Sequence, residues 1–211
     1  MAETRFDRDE LFVRFDALAV CRADMEKALG ILCEAARSQK IMVCGNGGSA
    51  ADSLHIVGEL SKGFLKKREL SPDEKALFNK FGEDGKRLAD GLQNGVDAVS
   101  LVSETALLSA FANDADPALC YAQAAWSKTK KGDALIAIST SGNSGNVFYA
   151  AAAVKARGGY VVSLTGAGGG KLAMIADAAI RVPAKETYLV QEYHLPVYHW
   201  LCAAVEDELF G

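Results

Sequence analysis

Apolar positions along this chain change their period several times. Leu11, Phe12, Phe15, Leu18 and Ala19 share one helical face, and Met25, Ala28, Leu29, Leu32 and Cys33 continue at the same spacing. This predicts a helical arm over residues 1–39, packed on a sheet or on another subunit. Short β-branched runs then alternate with helical stretches. Residues 40–44, 98–102, 134–139, 160–165 and 178–182 read as strands. Residues 50–65, 104–112, 118–130, 146–157 and 189–209 read as helices. Such alternation gives parallel strands covered on both faces. The predicted fold class is therefore α/β, a doubly wound five-stranded parallel sheet in a single domain, 1–211. Ligands of such sheets sit at the carboxyl ends of strands, where the strand order reverses.

One segment breaks the rhythm. Residues 66–97 are charged and helix-prone, and Ser71-Pro72-Asp73-Glu74 supplies a cap, a proline in the first turn and acids at the helix dipole. The expectation is a solvated helical insertion, with a lid or a subunit contact as alternatives.

Two stretches at predicted strand ends carry candidate chemistry, Cys44–Asp52 and Ile138–Ser144. Both are made of Gly, Ser, Thr and Asn, and both open a helix. Backbone N–H groups, hydroxyls and the positive end of a helix dipole together suit an anion. Ser, Thr and Asn also cap helices. The hydroxyls of Ser139, Thr140, Ser141 and Ser144 exceed what one cap requires, so a phosphorylated small molecule held between the loops is expected. Asn46, Gly47 and Ser49 of the first loop are candidate contacts to it.

Composition narrows the field. Half of the 211 residues are hydrophobic and 24% are charged, the mix of a globular domain. A formal charge of −4 argues against broad nucleic-acid binding. No run is long enough to span a bilayer and Met1–Glu10 lacks a secretory core, so a cytoplasmic location is expected. The five cysteines form no CxxC pair and read as buried small hydrophobes, Cys44 included. Gly166–Leu172 resembles a nucleotide loop but fails the test, being one residue short between its glycines and carrying Leu172 where a metal-binding hydroxyl belongs.

Histidine is scarce, and each of the three lies in a helical segment beside an acid or amide. His55 and Glu59, four apart, share a helix face. His194 and His199 lie with Gln191 and Glu192 on the last helix.

The ordered set Cys44–Asp52, His55, Glu59, Ser139–Ser144 and Gln191–His199 resembles the phosphoheptose isomerases of the SIS, or sugar isomerase, family. The resemblance implies a flavodoxin-like fold, a homotetramer, and conversion of sedoheptulose 7-phosphate to D-glycero-D-manno-heptose 7-phosphate. It implies Glu59 as general base and His199 as acid, with Ser49, Ser139, Thr140, Ser141 and Ser144 on the substrate phosphate. It also implies substrate contacts from Asp114 and Gln191, and zinc held by His55, Glu59, Gln191 and His199. An aldose–ketose isomerase does need a base and an acid fixed relative to an anchor. Gln191 and His199, however, are eight residues apart, roughly 12 Å along a straight helix. Sharing one ion requires a bend, for which Pro196 is a candidate, or a site shared with a neighbouring subunit.

The chain departs from the family at Gly63, where an arginine is usual and where Lys62, Lys66 or Arg68 is a candidate substitute. Leu189 and Val190 replace polar residues before Gln191. These changes bear on which sugar is taken more than on the reaction type. A non-catalytic SIS protein that binds a replication initiator, and a phosphosugar sensor, share the same loops. The set Glu59, Gln191 and His199 favours the enzyme.

Overall fold

The computed structural model describes residues 6–211, so the first five residues of the expected arm lie outside it. The elements are α1 (Glu10–Arg14), α2 (Arg22–Ser38), β1 (Ile41–Cys44), α3 (Gly48–Leu60), α4 (Pro72–Ala76), α5 (Gly82–Gly91) and β2 (Ala98–Ser100). They continue with α6 (Thr105–Asp114), α7 (Cys120–Lys128), β3 (Ala134–Ile138), α8 (Gly145–Ala156), β4 (Tyr160–Gly166), α9 (Gly170–Ile175), β5 (Ala178–Val182) and α10 (Thr187–Phe210).

The five strands form one parallel sheet in the order β2-β1-β3-β4-β5. Its central strands are buried on both faces, which is why they read as unbroken apolar runs. Ile41 and Val43 of β1 and Ile136 and Ile138 of β3 face a layer of α2, α3 and α10. Met42, Cys44, Leu135 and Ala137 face the opposite layer, built on α7 and α8. The chain steps from β1 outward to β2, then returns to lay β3 on the other side of β1. The reversal between β1 and β3 opens the crevice that receives both candidate loops.

The arm differs from the expected continuous helix. Phe15, at φ −134° and ψ 70°, ends α1, and a 3₁₀ turn over Asp16–Cys21 leads into α2. Of the two expected partners, the sheet is observed: Met25, Ala28, Leu29 and Leu32 are buried in the core beside β5 and α10. α3 stops at Leu60, not 65. The guanidinium of Arg68 takes the carbonyls of Leu60 at 2.7 Å and Glu59 at 3.4 Å. Glu206 of α10 collects the N–H groups of Phe64, Leu65 and Lys66 at 2.7–3.0 Å, and Arg68 Nε at 2.8 Å. Burial alone would raise the Glu206 pKa, but these donors outweigh it and hold the carboxyl below its usual range.

The insertion beyond this anchor is helical, as expected, and Ser71 with Glu74 forms a reciprocal capping box that starts α4. Among the described residues no helix is long and apolar enough to cross a membrane.

Candidate active site

Both loops leave the sheet at neighbouring strand ends. The first runs from Gly45 to Gly47, whose φ of +55° is a left-handed turn that glycine adopts without strain; α3 begins at Gly48. The second, Ser139–Ser144, joins β3 to α8. Asn46 and Asn146 exchange two amide hydrogen bonds of 2.9 and 2.8 Å between the loops. Ser139 and Ser144 pair their hydroxyls at 2.9 Å. Ser144, at the cap position of α8, makes no side-chain cap bond. The hydroxyls of the second loop are therefore not engaged in capping its helix.

The glycine-rich run that fails as a nucleotide loop has a structural role. Leu172 N–H donates to the Gly142 carbonyl at 2.9 Å, and Lys171 N–H to Asn143 Oδ1 at 3.1 Å. Gly142 sits at φ +68° with no room for a β-carbon against the Gly169 carbonyl. Gly166–Lys171 thus braces the second loop from behind.

The titratable candidates gather where α3 packs on α10. His55 Nε2 lies 3.3 Å from Glu59 Oε1, and Lys62 Nζ lies 2.6 Å from Glu59 Oε2. The His199 ring stands 5.1 Å from His55 and 5.6 Å from Phe64, centroid to centroid. Its Nε2 is buried and finds no hydrogen-bond partner among the described residues. Burial, aided by the charge of His55 and opposed by Glu59, lowers the His199 pKa, so the neutral ring is favoured. The Tyr198 hydroxyl reaches His55 Nδ1 at 3.0 Å and Asp52 Oδ1 at 3.4 Å. Asp52 is shifted upward by burial and Tyr198 likewise. Between the two ends of α10, His194 is fully buried; neither ring nitrogen makes a well-formed hydrogen bond among the described residues, and burial, opposed by the Thr165 backbone, lowers its pKa to about 4.

Other candidates fall apart from this cluster. Gln191 lies at the loop end, its amide against Gly48, where a β-carbon would collide with it. Pro196 lies within α10, which continues from Thr187 to Phe210, and His199 sits two turns beyond Gln191. Asp114 ends α6 at the surface and accepts from Asn113 at 2.8 Å. Ser49 is buried at the start of α3. Of the cations near Gly63, Arg68 is fully buried in its pair with Glu206, Lys66 pairs with Asp207, and Lys62 is the one of the three that reaches the Glu59 carboxylate. Among the described residues no three His, Cys, Asp or Glu side chains converge on a point suited to a metal ion. Cys44 is buried, its thiol pushed up to about 12 by desolvation, in keeping with packing and not with nucleophilic chemistry.

The Tyr198 contacts and the Arg68–Glu206 anchor escape sequence reasoning. Each joins positions more than 130 residues apart, and no local spacing announces them.

Comparison with known proteins bears on the family and the fold. A SIS domain family model matches residues 94–166. The phosphoheptose isomerase of Rhodospirillum rubrum is 36% identical over 196 residues, covering 92% of this chain and 91% of its own. That of Thiobacillus denitrificans is 35% identical over 215 residues, with 96% of each chain covered. The solved structure of phosphoheptose isomerase from Neisseria gonorrhoeae matches at a TM-score of 0.71, with 29% identity over 91% of both chains.

Proposed function

The chain belongs to the phosphoheptose isomerase family of SIS-domain proteins, and from that premise we propose that it interconverts sedoheptulose 7-phosphate and D-glycero-D-manno-heptose 7-phosphate through an enediolate. It is a phosphosugar isomerase; the particular sugar and the roles of the residues are the proposal. One observation carries it. Glu59 and His199 flank His55 on the packed helices α3 and α10, while the starts of α3 and α8 present the hydroxyl-rich loops.

The phosphate binds at the second loop, on Ser139, Thr140, Ser141 and Ser144, with Asn46, Gly47 and Ser49 closing the other side. Helix dipoles and hydroxyls neutralise it there, and its binding energy positions the reacting carbons. Glu59 lies eleven residues beyond Gly48, about 16 Å along the helix axis. The open chain of a long sugar suits that span better than a triose does. The Glu59 carboxylate removes the proton on the carbon next to the carbonyl, exchanges it with solvent, and delivers a proton to the neighbouring carbon. His199, favoured as the neutral ring, gives its proton to the carbonyl oxygen on which charge develops and takes one back from the neighbouring hydroxyl as that oxygen becomes the new carbonyl.

Zinc, implied by the family resemblance, stays a proposal for His55, Glu59, Gln191 and His199. His55, Glu59 and His199 do not converge on one ion as they stand, so every step here is carried by Glu59 and His199 themselves. A homotetramer belongs to the same proposal and is supported by exposed Val13 and Val20 on the arm; sedimentation tests it.

The deciding experiment incubates the protein with sedoheptulose 7-phosphate in D₂O. The expected result is the aldose carrying deuterium at carbon 2. No product, or product without deuterium, overturns the proposal.

A further inference from the structure

The proposed base and acid sit on different helices, so their spacing depends on how the end of α3 is held against α10. Glu206 provides the hold. It lies seven residues beyond His199 on α10, about two turns along nearly the same face. Its carboxylate accepts four hydrogen bonds, two at each oxygen, which fills its capacity. Phe64 N–H and Arg68 Nε reach Oε1 at 2.8 Å each, while Leu65 N–H at 2.7 Å and Lys66 N–H at 3.0 Å reach Oε2. Arg68, its side chain wholly buried, extends the hold to the last carbonyls of α3, Leu60 at 2.7 Å and Glu59 at 3.4 Å. Its guanidinium lies over the ring of Phe210, also on α10, at 4.7 Å.

We propose that Arg68 and Glu206 are positioning residues for the isomerase, a buried clamp that sets the distance from Glu59 to His199. The proposal rests on the assignment of those two as base and acid. Only residues 61–63 separate the clamp's two points of attachment. One point fixes the backbone of Glu59 itself. The other fixes Phe64, whose ring stands 5.6 Å from that of His199. A buried ion pair is seldom more stabilising than an apolar pair of like volume, so stability is a weak reason for this one. What it supplies is direction. The planar guanidinium sets its donors at fixed angles, and meeting Glu206, Leu60 and Glu59 together allows one placement of the helix end. Proton transfer between adjacent carbons needs such a constraint, because a displacement of about 1 Å can cost about 100-fold in rate.

Two variants test this by kinetics. Arg68→Lys keeps the charge, so Glu206 is not left as an unpaired buried carboxylate, but a single ammonium cannot reproduce the fork. The kcat should fall about tenfold to 100-fold. KM for sedoheptulose 7-phosphate should change less than twofold, since the phosphate loops lie at the other end of α3. Arg68→Met combined with Glu206→Gln buries no charge and keeps an acceptor for the loop, and the same loss of kcat is expected. A merely stabilising pair would lower the melting temperature and spare the turnover of folded molecules. A native kcat in either variant, a rise in KM matching the fall in kcat, or failure of both variants to fold overturns the inference.

Amide hydrogen exchange in the native protein needs neither turnover nor a variant. Phe64, Leu65 and Lys66 should exchange as slowly as the interior of α3. Fast exchange at these positions overturns the clamp. Absence of isomerase turnover in the native protein would instead count against the proposed function, and the three amides would still decide whether the segment is held.

Discussion

The two ends of the α3–α10 pair are built by different means. At the strand end the candidate contacts are glycine backbone, serine and threonine hydroxyls, and asparagine and glutamine amides, none of which titrates near neutrality. Two turns further on, Glu59, Lys62, His55 and His199 meet, and Asp52 and Tyr198 stand behind them. On the proposed reading, an anchor made of dipoles would hold a dianion without a counter-charge that pH can remove. The far end concentrates the groups whose protonation matters. Binding and chemistry are thus separable by mutation.

The largest expected effect is at the chemical end. Glu59→Gln preserves shape and removes the proton acceptor, so turnover should fall about 10²–10⁴-fold while phosphosugar still binds by calorimetry. His199→Asn should behave alike. An active Glu59→Gln enzyme free of wild-type contamination would erase the contrast between the ends.

His194 lies between them, buried in the core, and its expected effect is on stability. Its folded pKa of about 4 lies below the 6.5 of a free histidine. As pH falls through 6.5 the unfolded chain takes up a proton that the native state refuses. Stability present above pH 6.5 is therefore lost progressively down to about pH 4, by about 3 kcal/mol. Urea unfolding at pH 7 and 4.5 should show this loss, and His194→Met should flatten it. An equal slope in the variant would assign the acid sensitivity elsewhere.

At the strand end, Ser141→Ala or Ser144→Ala should weaken phosphosugar affinity by about 1.5–3 kcal/mol, the worth of a hydrogen bond to a charged group, and leave kcat within a few fold. Unchanged affinity in both variants would remove the phosphate from this loop. The smallest effect is expected outside both ends. Replacing residues 70–92 by a short linker should leave a folded protein, because surface excursions add little to stability. Loss of turnover in a folded variant would make the segment a lid or a subunit contact.

How much of this was legible follows from the range of each interaction. The strand runs Ile41–Cys44 and Ala134–Ile138 announce themselves because burial on both faces demands unbroken apolar residues. The loops are legible because their chemistry is local, one stretch of glycine and hydroxyl per strand end. His55 and Glu59 are legible because four residues make one helical turn. Tyr198 is different: on sequence alone it is one more aromatic in an apolar helix, and its hydroxyl gains meaning only when α3 is laid against α10. Gly142 and Gly169 likewise explain each other only once β3 and β4 stand side by side. The break at Phe15 was hidden because the apolar pattern runs on through it.

The insertion leaves and re-enters the body at nearly one point. Asn94 N–H bonds the Arg68 carbonyl, Val96 N–H bonds the Leu60 carbonyl, and Glu69 bridges Gln93. Arg68 and Glu206 tie the near side of that point to α10, upstream of everything that protrudes. Strain generated in the excursion therefore meets a fixed footing before it can reach Glu59. For protein engineering this is a candidate splice site: a fluorescent reporter or an affinity handle inserted there is expected to leave the fold of the body intact.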